Sequence, residues 1–301
     1  MFDYQEAFSR NIGWFTASEQ EILKNSRVAI GGLGGVGGDH AIVCARLGIS
    51  HFNISDLDTF DIANFNRQAG ANIATIGLEK SLIISDSIQK INPNATIINF
   101  NEGISLANLD QFLEGVDIYI DSLDIFALEI RRAVFKRCRE KGIPAITAAP
   151  MGMGTSVLIF TSESMSFEKY FGFVDADQHA DNQTKQHIFE DNIIRFIVGV
   201  SPSMQQRHYL MDRTKVNIMN KKVPSTCPGI SLAAGVLCTN VIKLLLKRGE
   251  TLQAPRGMHF DAYLNKLVKT WRPFGSKNPI QKLMFRTIKS LLAKNNLVKR
   301  Q

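Results

Sequence analysis

Cysteine is scarce in this chain: four among 301 residues, at Cys44, Cys138, Cys227 and Cys238, with no paired spacing. That scatter argues against a disulfide scaffold and against a conventional all-cysteine zinc site, and it fits a reducing cytoplasm. The start, Met1-Phe-Asp-Tyr-Gln-Glu, lacks a charged segment followed by an apolar one, so no signal peptide is expected. Long apolar runs are missing too. The strongest, Ile230 to Leu246, is broken by small and polar residues and falls short of a bilayer span, so no transmembrane segment is expected. Acidic residues disappear after Asp261, where ten basic ones follow: Lys266, Lys269, Arg272, Lys277, Lys282, Arg286, Lys289, Lys294, Lys299 and Arg300. With those ten set aside from 35, residues 1–261 hold 25 basic residues against 28 acidic ones, so the formal charge of +7 belongs to the tail.

With 45% hydrophobic residues, the chain can bury a large core, as one α/β domain with insertions or as a core plus an appendage. Its most informative stretch is Gly32-Leu-Gly-Gly-Val-Gly37, which follows the apolar run Val28 to Ile30 and leads into His40 to Leu47. Gly32, Gly34, Gly35 and Gly37 let the chain turn tightly and bring backbone N–H groups against a phosphate, at the positive end of a helix. Taken alone, the motif is equally a glycine-tolerant loop between packed elements.

The first half alternates strands and helices. Val28 to Ile30 reads as the first strand and His51 to Ile54 as the second, ending at Asp56, about 25 residues after the turn begins and near the roughly 20 expected of a ribose-binding acid. Lys80 to Ile91 has apolar residues at helical spacing and closes on Asn92-Pro93. Thr96 to Phe100 is a strand, Leu109 to Leu113 a short helix, Val116 to Ile120 a strand ending at Asp121, Leu128 to Lys141 an amphipathic helix, and Ala145 to Thr147 the next strand. The alternation predicts a Rossmann-like, doubly wound, mainly parallel sheet with helices on both faces and ligands beyond the strand C-termini. Thr155 to Thr161 looks like another strand, Phe167 to Pro224 is hard to assign, and Pro228 to Leu246 reads as a helix rich in small residues. From Pro279, Ile280, Leu283, Met284, Ile288, Leu291 and Leu292 share a helical face opposite Lys282, Arg286 and Lys289. Docking of that face on its own domain is preferred to a membrane-surface or RNA-binding helix.

At Arg10, Gly32 to Gly37, Asp56-Leu-Asp58, Asn64-Phe-Asn-Arg67-Gln68, Lys80 and Asp121-Ser-Leu-Asp124, the sequence resembles the ThiF/MoeB/HesA family, which includes the ubiquitin-activating enzymes. The resemblance covers about residues 8–160, with a weaker echo in Pro228 to Leu246. It implies ATP-dependent adenylation of a carboxylate, usually a protein or peptide C-terminus. It further implies that the glycines admit the phosphates and that Asp56 binds the ribose. Asp58, Asn64, Gln68 and Asp121 complete the nucleotide site. Arg67 and Lys80 contact the phosphates, while Asp124 holds Mg2+. Arg10 resembles an arginine finger that commonly reaches the other subunit's site, so a homodimer is expected. On this reading, residues 1–261 form the ATP-binding adenylation domain, with an insertion at about 162–226, and residues 262–301 form a basic extension with a C-terminal helix.

Each of these residues also has a plain alternative. Asp56 could cap a loop, Arg67 and Lys80 could be solvated charges, and Asp121 or Asp124 could cap the following helix. Together, at family spacing, those alternatives lose force. The family's paired Cys-x-x-Cys motifs are absent, so zinc is not expected, and Ile125 stands where an Asn often follows the second acid. Cys227 is the best-placed residue for a thioester, set against the ordinary role of a buried small hydrophobe. Three functions follow: an adenylyltransferase acting on a small ubiquitin-like or sulfur-carrier protein or peptide; a tRNA threonylcarbamoyladenosine dehydratase-like enzyme, supported by the basic tail; and a catalytically silent scaffold subunit.

Overall fold

The computed structural model describes residues 1–216 and 223–298, with side chains as far as Leu291. In chain order the elements are α1 (Tyr4–Ala7), α2 (Ala17–Asn25), β1 (Arg27–Gly31), α3 (Gly37–Arg46), β2 (His51–Ser55), α4 (Lys80–Ile91), β3 (Thr96–Phe100), α5 (Leu109–Phe112) and β4 (Ile118–Asp121). There follow α6 (Leu128–Glu140), β5 (Ala145–Met151), β6 (Gly154–Phe160), α7 (Phe167–Phe171), α8 (Asn182–Val200), α9 (Cys227–Leu245), β7 (Arg256–Asp261), β8 (Lys266–Trp271) and α10 (Pro279–Val298). Every strand and helix expected from periodicity before residue 161 is present, with ends that differ by a few residues.

The eight strands form one sheet in the order β3-β2-β1-β4-β5-β6-β7-β8. Pairings from β3 through β5 are parallel, and those from β5 through β8 are antiparallel. The fold is thus the expected Rossmann-like α/β sheet, mostly parallel, with an antiparallel edge. In this order the chain winds outward from β1 to β3 and then returns to place β4 on the other side of β1. The loops after β1 and β4 therefore diverge and leave a crevice, which is where open α/β sheets bind ligands.

Two apolar cores lie on opposite faces. One joins Val28, Ile30, Ile54 and Ile120 of the sheet to Ala41, Cys44 and Ala45 of α3, Ile84 and Ile88 of α4, and Ala233, Leu237 and Val241 of α9. The other is aromatic, with Phe135 stacked on Phe167 at 4.0 Å and Phe160 edge-on to both. Small residues let α9 approach α3, with Cys238 and Cys44 sulfurs 3.7 Å apart as free thiols. By length and composition α9, at 19 residues and a mean hydropathy of 1.5, is the one helix among the described residues apolar enough to cross a bilayer, contrary to the expectation from its sequence. Its buried residues, Ile230, Ala233, Leu237 and Val241, belong to the core shared with α3 and the sheet.

The hairpin of β7 and β8 did not show in the sequence pattern. Residues Lys266–Trp271, beyond the expected boundary at Asp261, continue the same sheet through register pairs from Arg256↔Trp271 to Asp261↔Lys266. Within 162–226, the described residues include α7 and α8, packed on the aromatic core, and short 3-10 turns. In α10 the backbone of Leu292 and Lys294 is helical, while Lys299 and Arg300 lie outside the described residues.

Candidate nucleotide site at the strand switch point

The loop after β1 can exist only with glycine at two positions. A Cβ on Gly37 would stand 1.8 Å from the Gly32 carbonyl oxygen, and one on Gly32, whose φ is +86°, would stand 2.4 Å from the Ser122 carbonyl oxygen. The loops after β1 and β4 are therefore in backbone contact. Leu33 N–H donates to Asp56 Oδ2 at 2.6 Å, and Asp58 N–H donates to Asp56 Oδ1 at 2.8 Å, so Asp56 ties the end of β2 to the same turn.

Gly34 differs, because a Cβ there would clash with nothing. A Cβ there would meet only Gln68 Nε2 and Lys80 Nζ, each at 3.8 Å. Lys80 is the first residue of α4 and its side chain is 7% exposed. A buried ammonium at a helix N-terminus is opposed by the macrodipole and by desolvation. Its ion pair is with Asp58, at 3.1 Å, a carboxylate that is itself 61% exposed. Gln68 is buried and its Oε1 has no partner. A cation, the amide Nε2 donor of Gln68 and bare backbone thus face one space suited to an anion.

Asp124 lies on the exposed loop after β4, with Oδ1 accepting from Phe126 N–H at 2.9 Å. Asp121 does not face this space. It is fully buried, and both its oxygens accept from Arg131 Nε, at 3.1 and 2.9 Å. Arg131 also donates from Nη1 to the Asp124 carbonyl oxygen at 3.1 Å and from Nη2 to the Leu123 carbonyl oxygen, and its guanidinium lies 4.6 Å from the Phe196 ring centroid. One buried arginine therefore pins the loop that carries Asp124. The signal for it was present in the sequence: Arg131 falls on the stripe Leu128, Arg131, Val134, Phe135, Cys138, the buried face of an otherwise charged helix.

Other expected residues stand apart. Asn64 Oδ1 accepts from Asp61 N–H at 3.0 Å within its own turn. Arg67 folds back, donating from Nη1 to the Ala63 carbonyl oxygen at 2.8 Å and to Asn66 Oδ1 at 2.9 Å. Asn66 in turn donates to the Ser225 carbonyl oxygen at 3.0 Å, linking this loop to the segment before α9. Cys227, the exposed first residue of α9, therefore lies near that loop, and Ile230, one turn further, is the nearest neighbour that a Cβ on Gly35 would meet, at 3.8 Å. Arg10 is exposed in a segment docked at the far end of α3, where Asn11 Nδ2 donates to the Leu47 carbonyl oxygen at 3.4 Å and Tyr4 Oη to that of Gly48 at 2.7 Å. The ten residues of α3, about 15 Å, separate that end from the glycine turn.

Two further titratable residues of α3 lie beside this site, neither of them marked out by the sequence. His40 is fully buried, with Nδ1 2.9 Å from Ser122 Oγ, and burial pushes its pKa down to about 3. Burial pushes the Asp39 carboxyl up to about 6, against a hydrogen bond from the Ala69 N–H, and Asp39 Oδ2 has no partner.

A family model described as the ThiF family matches residues 8–282 of the chain. Among curated relatives, tRNA threonylcarbamoyladenosine dehydratase of Bacillus subtilis is 35% identical over 142 residues, covering 47% of this chain and 55% of that protein. Molybdopterin-synthase adenylyltransferase of Escherichia coli is 31% identical over 147 residues, covering 49% and 58%. The chain spans about half the length of the curated relatives it matches. Among solved structures, E. coli MccB with ATP superposes with a TM-score of 0.62 at 18% identity, covering 88% of this chain and 69% of that one, a likeness of fold.

Two substitutions test this electrostatic arrangement. Arg131→Met leaves Asp121 buried without its partner and should cost about 3–5 kcal/mol in denaturant unfolding, whereas Arg67→Ala should cost under about 0.5 kcal/mol. A small loss for Arg131→Met would mean that the pair does not hold the loop. The Asp39 carboxyl keeps its proton in the fold to a higher pH than when unfolded, so its ionisation subtracts stability as pH rises from about 4 to 6. Asp39→Asn should therefore leave the melting temperature unchanged near pH 4 and raise it at pH 7; an equal shift at both would contradict the assignment.

Proposed function

Because the chain belongs to the ThiF family, we propose that it activates a carboxylate with ATP, forming an acyl adenylate and releasing pyrophosphate. The observation that carries this reading is the convergence of Lys80 Nζ and Gln68 on the bare backbone of Gly34. Adenylation brings an attacking carboxylate and a triphosphate together, and the protein must offset several negative charges at once. Lys80 would pass from Asp58 to the phosphates, and Arg67 would leave its own loop to join it. Asp56 keeps spare acceptor positions on both oxygens for ribose hydroxyls. Asp121 serves the site through Arg131 and Asn64 through the shape of its turn, each behind the ligand.

Among the described residues no group of three or more His, Cys, Asp or Glu could hold a metal. The donor set nevertheless fits Mg2+, which is commonly bound by one or two carboxylates together with substrate phosphates. Asp124 would supply the carboxylate, and the ion would neutralise phosphate charge. We place the enzyme in the cytoplasm, with its four cysteines as thiols.

We assign the substrate as the C-terminus of a small ubiquitin-like or sulfur-carrier protein or peptide, and the active unit as a homodimer. Support for the dimer comes from Arg10, in a segment docked at the end of α3 away from its own glycine turn, and from the exposed apolar residues Ile62, Ile73, Ile76 and Leu78 on the chain between Asp58 and Lys80. A second copy that covered them could supply Arg10 in trans. Cys227 is the residue to accept the acyl group: its sulfur would bond to the acyl carbon, AMP would leave with the electron pair, and the thiol proton would pass to solvent. A thiol-labile adduct that Cys227→Ala abolishes is the check. A second reading, the tRNA dehydratase, draws on the 35% identity to that enzyme and on the basic tail. Salt-dependent retention of tRNA would favour it.

The reaction is tested by the products of α-labelled ATP incubated with candidate carboxylates. AMP and pyrophosphate are expected; ADP from every substrate would overturn the proposal, and no turnover at all would point to a scaffold subunit. In the same assay, mixing Arg10→Ala with Lys80→Ala chains should recover about a quarter to a half of the activity lost by each alone. No recovery after verified subunit exchange would exclude an arginine supplied in trans.

A further inference from the structure

α10 is only half docked. Gln281 is buried and Met284, Phe285 and Ile288 are partly so, along the side that meets α8, where Arg195 lies 4.5 Å from the Phe285 ring centroid and Lys289 pairs with Asp191 at 2.6 Å. Ile280, Leu283 and Leu291 belong to the same expected apolar face, yet they are 69, 65 and 56% exposed. They fall on one side of the helix over about 16 Å of its length. Lys282 and Arg286, on the other side of the helix, and Lys277, in the turn ahead of it, make no ion pair among the described residues. No acidic residue follows Asp261. Just ahead of the helix Phe274, 70% exposed, has a φ of +70°. A bulky residue in the left-handed region is strained, and here the strain accompanies a ring held in water.

We propose that α10, with Phe274, is an interfacial helix that lays the Ile280, Leu283 and Leu291 ridge into an anionic lipid surface. The chemistry selects this occupant. Lys and Arg stems run along the apolar boundary while their charges meet lipid headgroups, and the aliphatic ridge enters the acyl boundary. A nucleic acid would use the cations but leave three aliphatic side chains in water, because phosphates and base faces reward cations and aromatic rings. Docking on α8 orients the ridge outward, so attachment would hold the protein against the surface without a spanning segment. The proposal is independent of the reaction assigned to the nucleotide site.

The test is co-sedimentation of the full chain with phosphatidylcholine vesicles, with and without about 30% phosphatidylserine. Binding to the anionic vesicles should be at least about tenfold stronger than to phosphatidylcholine alone and should weaken with salt. The double variant Ile280→Gln/Leu283→Gln should lose about tenfold in partitioning, and Lys282→Glu/Arg286→Glu should lose the preference for anionic lipid. Because all four positions are exposed, unchanged melting curves establish that the fold is intact. Absence of vesicle binding overturns the proposal. So does vesicle binding that the apolar double variant leaves unchanged. Binding to tRNA alone, lost with the charge reversals and untouched by Ile280→Gln/Leu283→Gln, would identify a nucleic-acid face, and a loss of self-association in the apolar variant without vesicle binding would identify a contact between copies.

Discussion

Two loops at the sheet's switch point meet backbone to backbone, and the candidate site depends on that contact. Gly32 lies against Ser122, and Gly37 closes back on Gly32, with no room for a Cβ on either. The contact brings the turn after β1, the end of β2 at Asp56 and the loop carrying Asp124 into one crevice. Parallel pairing of β1 with both β2 and β4 directs all three strand ends the same way. A side chain larger than hydrogen at Gly37 would separate the turn from α3 and remove the helix N-terminus from the space it serves.

Charge is stored in this crevice at a cost. Lys80 is held at the N-terminus of α4, where dipole and burial both disfavour a cation, and an exposed carboxylate offsets it in part. Arg67 is occupied by its own loop. On the proposed reading an anionic ligand would relieve the first and recruit the second. Behind it, the Asp121–Arg131 pair is satisfied internally and reaches two carbonyl oxygens of the Asp124 loop. The Asp124 loop therefore rests on a buried ion pair.

Much of this was legible in the sequence because the parallel half of the sheet obeys simple rules. β1 and β4 are short apolar runs ended by Gly31 and Asp121, and the helices have clear apolar stripes; α4 and β3 occupy the expected residues. The hairpin of β7 and β8 was not legible, for physical reasons. In β7 the buried positions are Gly257, His259 and Asp261, so the inward face looks polar; His259 Nδ1 pairs with Ser203 Oγ while its Nε2 has no partner, and Tyr209 Oη donates to Asp261 Oδ2. β8 is an exposed edge rich in lysine and reads as tail. Among the site residues, the resemblance put Asp121 in the nucleotide site and Asp124 on Mg2+, while burial turns Asp121 away to Arg131 and leaves Asp124 exposed. Arg131 went unnoticed because an arginine on a charged helix is usually solvated. The apolar face of α10 was legible, but not that the fold covers only part of it.

On the proposed function, the space over Gly34 would receive a polyphosphate. Isothermal titration with AMP, ADP, ATP and NAD, in the presence of Mg2+, tests it most directly, on the wild type and on Gly34→Ala. The alanine variant should fold, since its Cβ would have only side-chain ends at 3.8 Å as neighbours, while its methyl group would obstruct the phosphate path. Wild-type affinity should rise with each added phosphate and exceed that for NAD, and Gly34→Ala should flatten the series. Equal affinity for AMP and ATP, or tighter binding of NAD that Gly34→Ala leaves intact, would contradict it.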